Sequence, residues 1–417
     1  MNRVRESSLV RKESLVPFSL LLFYLILEYG RPQDLLPFVR VLHLPAIITV
    51  LLALSVINSG KFQLLKDKQT VFFLFLFGLM VIHGPIAVNN YWALMIFIVM
   101  MGNFIIFLAL IRYVDTPDKY NRLLNTWFGV HVFLAIHGIA KKGIGVGGFL
   151  GDENDFCMTM NMIIPFSFFL AMNASGKKKI IYIVLTCLFL SAILISFSRG
   201  GFVGLMAAFA YCWLKTKRKL FTAIIMGVLT IFAIIAAPPA YWDEVRSITK
   251  EGADTGTGEE RVYTWKIGWQ MFLDNPIIGV GQGNFPYVFQ KYELQVTGSD
   301  EPFYGRSVAG RAAHSIYFTM LPELGILGTC IIFGMIYYTF KDLRTIRANI
   351  LKKNYKESNQ SSDKYLSIVL ALEGALVAYL VSGVFISTLY YPNLWILMGF
   401  IISLKYIVIK GLKIDTA

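Results

Sequence analysis

Apolar positions in this chain fall in long unbroken runs, with little of the alternation that marks half-buried strands. A membrane-spanning helix needs about 20 mostly apolar residues. Runs near this length cover 15–29, 41–58, 69–88, 92–111, 123–140, 156–173, 180–197, 201–214, 220–237, 314–340, 365–388 and 393–409. Arg3, Arg5, Arg11 and Lys12 precede the first run, as in a signal peptide. That run lacks a small-residue cleavage site and continues into Glu28-Tyr29-Gly30-Arg31-Pro32, so it reads as an uncleaved first span. The pattern predicts an all-α polytopic membrane protein of about twelve helices, one transmembrane domain over residues 1–417.

Composition agrees. Hydrophobic residues make up 56% and charged residues 16% of the 417 positions, and mean hydropathy is +0.59. An ordinary soluble domain carries about 25% charged residues. Too little charge is present to coat a soluble enzyme, and too much apolar surface for a disordered chain.

The net charge of +13 would suggest nucleic acid in a soluble protein. Here it sorts by loop, so no nucleic-acid partner is expected. With the N-terminus inside, 27 of the 39 Lys and Arg residues fall in inner segments, and every short inner loop is basic. That asymmetry predicts both termini in the cytoplasm. The four cysteines have no paired or zinc-like spacing and read as small core residues.

The longest outer segment, residues 238–313, is acidic early and rich in glycine. Loops of this length are usually functional. Thr257-Gly258-Glu259-Glu260 reads as a capping box. Val262, Trp265, Trp269 and Phe272 follow as an apolar stripe, and Asp274-Asn275-Pro276 stops the helix. Such a short amphipathic helix either lies at the outer membrane surface or packs on the bundle. The glycine-rich segment from Gly143 to Gly148 reads as a flexible link.

Outer arginines run against the charge bias. Arg199 stands in Ser196-Phe197-Ser198-Arg199-Gly200-Gly201, a very short turn between two spans. It is either an interfacial anchor or an anion site, where bare backbone and a helix N-terminus assist a bidentate guanidinium. Arg261 opens the loop helix, either solvated beside Glu259 and Glu260 or forming a wall of the same anion site. Arg311 and His314 sit three apart at the start of the tenth span, so on a helix they would share a face. Basic neighbours should keep His314 neutral, fit to accept a proton, with a packing role as the alternative. His43, His83, His131 and His137 lie in or beside apolar spans and read as structural.

Weaker signals have plainer readings. The Gly279-Val280-Gly281-Gln282-Gly283-Asn284 segment follows no strand and reads as a tight turn rather than a dinucleotide loop. Asp152, Glu153 and Asp155 at the start of the sixth span suit helix capping better than a metal site. Glu323, nine residues past His314, would face away from it and take a pairing role inside the bundle.

Taken in order, Ser198-Arg199-Gly200-Gly201, Glu260-Arg261 through Trp265, Gly268 and Met271-Phe272, Asn275-Pro276 through Asn284-Phe285, His314-Ser315-Ile316-Tyr317 and Glu323 through Gly328 resemble the O-antigen ligase and polymerase superfamily of bacterial membrane glycosyltransferases. Ser315 departs from the asparagine frequent after the family's histidine. Glu28 to Pro32 resembles a subgroup of O-glycosylation ligases. The resemblance implies a multi-pass protein of the bacterial cytoplasmic (inner) membrane, with its active site on the periplasmic side. It implies an undecaprenyl-diphosphate-linked glycan donor and a glycan, lipid or protein hydroxyl acceptor. No cofactor and no metal is expected. Arg199 and Arg261 would stabilise the leaving diphosphate, Arg311 would help bind it, and His314 would activate the acceptor. The first choice is an O-antigen ligase acting on lipid A core in lipopolysaccharide biosynthesis, then a polysaccharide polymerase or protein O-oligosaccharyltransferase. A twelve-span transporter is the rival of another class, although charged residues deep in spans are few, chiefly Glu323 and Glu373.

Overall fold

A computed structural model of the chain describes residues 15–60, 67–216, 219–220, 222–224, 227, 257–297, 310, 312–356 and 360–414. Its regular elements are all helical: α1 (Leu15–Gly30), α2 (Leu44–Asn58), α3 (Lys68–Ile86), α4 (Asn90–Tyr113), α5 (Pro117–Ala140), α6 (Glu153–Asn173), α7 (Gly176–Ile195), α8 (Arg199–Lys215), α9 (Thr257–Asp274), α10 (Phe285–Thr297), α11 (Ile316–Lys356), α12 (Gln360–Ser382) and α13 (Pro392–Ile414). Each apolar run but one coincides with a helix. The remaining run, 220–237, lies mostly outside the described residues, and its described positions, 220, 222–224 and 227, are helical. Nine helical stretches among the described residues are long and apolar enough to cross a membrane.

Local chemistry sets several helix starts. Asn89 Oδ1 accepts from the Trp92 N–H ahead of α4, and Thr116 Oγ1 accepts from the Lys119 N–H ahead of Pro117. Such side chains satisfy donors that a helix start leaves unpaired.

Burial separates centre from rim. The apolar window of α6 is 83% buried, whereas that of Pro37–Asn58, which includes α2, is 11% buried. Ile47, Val50, Leu54 and Ile57 of α2 stay exposed, which a bilayer tolerates and water does not. Several polar groups inside the centre pair with one another. Asn161 Nδ2 donates to the Gly201 carbonyl (2.8 Å), Asn393 Nδ2 to Thr159 Oγ1 (2.9 Å) and the Tyr29 hydroxyl to Asn393 Oδ1 (2.9 Å). At one end, Lys405 joins Asp67 (3.2 Å) and Asp342 (3.0 Å), tying α13 to the start of α3 and to α11. Cys157 and Cys212 are buried, while Cys187 and Cys330 are exposed on helix faces.

α11 is interrupted. Gly325 has φ 60 and ψ −166, three residues after Pro322. The freed backbone groups pair with the turn that follows α9. The Val280 and Gly281 N–H groups donate to the Pro322 and Glu323 carbonyls (2.8 and 3.0 Å), and the Ile326 and Leu327 N–H groups to the Pro276 and Ile277 carbonyls (2.8 and 3.1 Å). Non-helical backbone at membrane depth is tolerated only with such internal pairing. A Cβ on Gly325 would stand 2.4 Å from the Ile277 oxygen, so only glycine fits the crossing.

Candidate active site

Four connections meet at one end of the bundle: the segments before α6, before α8 and before α11, and the link from α12 to α13. Their contacts build the site from α8 outward.

Phe197 adopts a left-handed conformation (φ 55), turning the chain sharply into α8. Ser198 caps the helix, its Oγ accepting from the Gly201 N–H (2.8 Å) and donating to Asn154 Oδ1 (2.6 Å). Asn154 in turn donates to the carboxylates of Asp152 (3.0 Å) and Glu153 (3.4 Å). The start of α8 is therefore bonded to the start of α6. A Cβ on Gly201 would lie 2.5 Å from the Cys157 Cβ, so the glycine permits this close approach. Gly200 lies against Asn154 and Phe385. Arg199, in the first turn, is half-buried.

Arg261 approaches from α9. Its guanidinium carbon lies 5.9 Å from the centre of the Phe385 ring, a cation–π distance. Burial, and next the positive charge of Arg199, push the Arg261 guanidinium below its ordinary value, while Asp152 and Glu153 oppose them. Arg261 remains protonated at neutral pH. Arg199 and Arg261 thus feel one another, with two carboxylates within electrostatic reach.

Packing fixes α9. The Trp265 Nε1–H donates to the Ala313 carbonyl (2.9 Å), and the Trp265 ring stacks on Phe318 at 4.9 Å and 4°. Ile267 and Met271 join Phe285, Val288, Phe289, Tyr292 and Ala313 in a small separate core. The sequence stripe is therefore divided. Thr264, Ile267, Gly268 and Met271 face inward, while Val262 and Trp269 are 45% and 48% exposed. α10 packs on a face that periodicity alone does not select. The side chains of the expected capping box, Thr257 to Glu259, lie outside the described residues.

His314 is exposed and left-handed (φ 48). The helix begins only at Ile316, where Ser315 Oγ accepts from the Phe318 N–H (3.4 Å). The expected i, i+3 pairing of Arg311 with His314 on a helical face is corrected accordingly, since His314 precedes the helix. Arg311 itself lies outside the described residues. His314 is tethered on both sides. Ala313 before it bonds Trp265, one turn along α9 from Arg261, and the Ser315 N–H after it donates to Ser387 Oγ (3.3 Å), close in sequence to Phe385.

Supporting residues gain definite roles. Glu323 is buried, and its carboxylate accepts from the Gly283 N–H (2.8 Å), the Phe285 N–H (3.0 Å) and the Tyr390 hydroxyl (2.6 Å). It thereby caps α10. Residues 279–284 form the expected tight turn, with Gln282 fully buried and bonded to His83 Nδ1 (2.5 Å). The glycine segment before α6 is packed rather than slack. Arg31 pairs with Asp34 and lies 5.8 Å from the Phe149 ring centre, and Phe149 meets Tyr391 at 5.5 Å. Burial first, then Asp155 and Asp152, push the Tyr391 phenol up to about 12. Sequence reasoning did not find Asn154, Phe385 or Ser387, which carry no motif and act through contacts distant in sequence.

No curated protein matches the chain at a significant level. Residues 183–333 match the family model described as O-antigen ligase, whose members are glycosyltransferase-like enzymes. That stretch runs from α7 into α11 and carries Arg199, Arg261 and His314. This part of the chain is therefore similar to the O-antigen ligase family.

Proposed function

We propose that this protein transfers a glycan from an undecaprenyl-diphosphate donor to an acceptor hydroxyl at the outer face of the cytoplasmic membrane, with lipid A core as the acceptor. The observation that carries the reading is the mutual approach of Arg199 and Arg261. The two half-buried guanidinium groups concentrate positive charge that Asp152 and Glu153 oppose, and the fork of each suits the oxygens of a diphosphate. The N-terminus of α8 adds backbone dipoles of the same sign. The meeting of the four connections at one end supports the charge-based topology, in which all are extracytoplasmic.

In this mechanism His314 removes the proton of the acceptor hydroxyl as its oxygen bonds to the anomeric carbon. The bond from that carbon to the diphosphate oxygen breaks on the opposite face, and its electron pair leaves with the lipid diphosphate. Configuration inverts. Negative charge grows on the leaving oxygen, where Arg199 and Arg261 stabilise it, and Arg311 assists in holding the donor. This route requires no metal.

Deleting the gene tests the reaction and separates ligation from polymerisation. A ligase deletion leaves completed polymer on the lipid carrier. Accumulation of single repeat units instead identifies a polymerase, and an unchanged lipid-linked pool removes glycan transfer from that carrier.

A further inference from the structure

A second polar site lies at the opposite end of α6, independent of the glycan-transfer reading. A cavity of about 790 Å³ opens there between the end of α6 and the starts of α5, α7 and α12. Its size falls within the usual range for small-molecule sites, roughly 300–1,000 Å³.

The lining has two characters. Lys177, Lys178 and Lys364 supply positive charge, with the amides of Asn121, Asn125 and Asn173 beside them. Among the described lining residues none is acidic. Lys364 Nζ donates to Asn121 Oδ1 (2.7 Å), which fixes one ammonium at the mouth. Leu124, Phe128, Leu170 and Tyr182 form the apolar part. Lys177 and Lys178 occupy the first turn of α7, where the helix dipole disfavours cations. Their clustering therefore does not stabilise α7 by itself and suits an anion.

Depth points to the kind of anion. α6 has 21 residues, so its ends are about 30 Å apart, the thickness of a bilayer's hydrocarbon core. The cavity therefore stands at headgroup level on the leaflet away from the arginines. Beside it, Ile180, Ile181, Ile183 and Val184 of α7 are exposed and form a path for acyl chains.

We infer that this cavity binds the phosphate headgroup of an anionic phospholipid from the inner leaflet. The lysines and amides hold the phosphate oxygens, and the chains run along the exposed face of α7. Basic pockets between transmembrane helices on the cytoplasmic side recognise such lipids by the same chemistry.

The test titrates the purified full-length chain, in neutral detergent, with phosphatidylglycerol, cardiolipin, phosphatidylcholine and inorganic phosphate. Bound molecules are counted by native mass spectrometry. The two anionic lipids should bind at least about tenfold more tightly than phosphatidylcholine, since each lysine contributes roughly fivefold. The combined K177Q, K178Q and K364Q variant should lose that preference, and K141Q with K142Q should keep it. Leu170→Trp, which fills the cavity with its charges intact, should weaken lipid binding and decides the matter if the lysine variant does not fold. Equal binding of phosphatidylcholine, or an unchanged preference in the lysine variant, overturns the inference. So does inorganic phosphate binding as tightly as the lipids, which would mark a free-phosphate site.

Discussion

At the residue scale, the proposed reaction divides the work of the two arginines and the histidine by charge type. A guanidinium offers a planar fork that grips two phosphate oxygens, whereas an ammonium is a point charge. Arg199→Lys should therefore impair transfer nearly as much as Arg199→Ala, each by at least about tenfold, measured on membranes with equal protein levels. Near-normal transfer by the lysine variant would favour a snorkelling anchor instead. For His314 the proposed role is that of a general base, which contributes roughly 10²- to 10⁴-fold. Its left-handed backbone and exposure put the imidazole outside the helix that the spacing suggested. The residue type was legible in the sequence, but its placement was not. Ser315 caps α11 one residue later, and a capped helix start is indistinguishable in sequence from one a turn earlier.

At the element scale, the loop helices are held by a break in a spanning helix. Pro322 and Gly325 carried a signal for that break, yet the apolar run passes through both without a change in hydropathy. Glu323 shows why the break matters. Its carboxylate satisfies two N–H groups at the start of α10, so Glu323→Gln directs an amide N–H₂ toward donors or leaves one unpaired. A buried group left unpaired costs about 1–3 kcal/mol. The variant should melt at a lower temperature in detergent, and an unchanged midpoint would contradict the capping role. Gly201→Val should have a comparable effect, because its side chain would enter the Cys157 contact that joins α8 to α6. Which face of α9 is inward was not legible either. The stripe of Val262, Trp265, Trp269 and Phe272 is periodic, but α10 and α11 cover the neighbouring face.

At the scale of the whole molecule, the all-helical membrane architecture was legible because hydropathy records the solvent each span meets. The same signal explains why α2 keeps its apolar face outward and α6 does not. The meeting of the four connections was not legible, since it depends on which spans pack together. The sidedness expected from the distribution of Lys and Arg has a direct check. With the native cysteines replaced, Lys142→Cys should react with a membrane-impermeant maleimide in intact spheroplasts. Lys178→Cys should react only after permeabilisation. The reverse pattern would invert the topology and place the arginines in the cytoplasm.

The most direct measurement uses purified protein and a lipid-linked glycan donor, following both donor binding and release of undecaprenyl diphosphate for the Arg199→Ala, Arg261→Ala and His314→Ala variants. The account predicts that the arginine variants lose donor affinity, and that the histidine variant binds donor normally but turns over at least about 10²-fold more slowly. Full turnover without the imidazole, or undiminished donor affinity without either guanidinium, would contradict it.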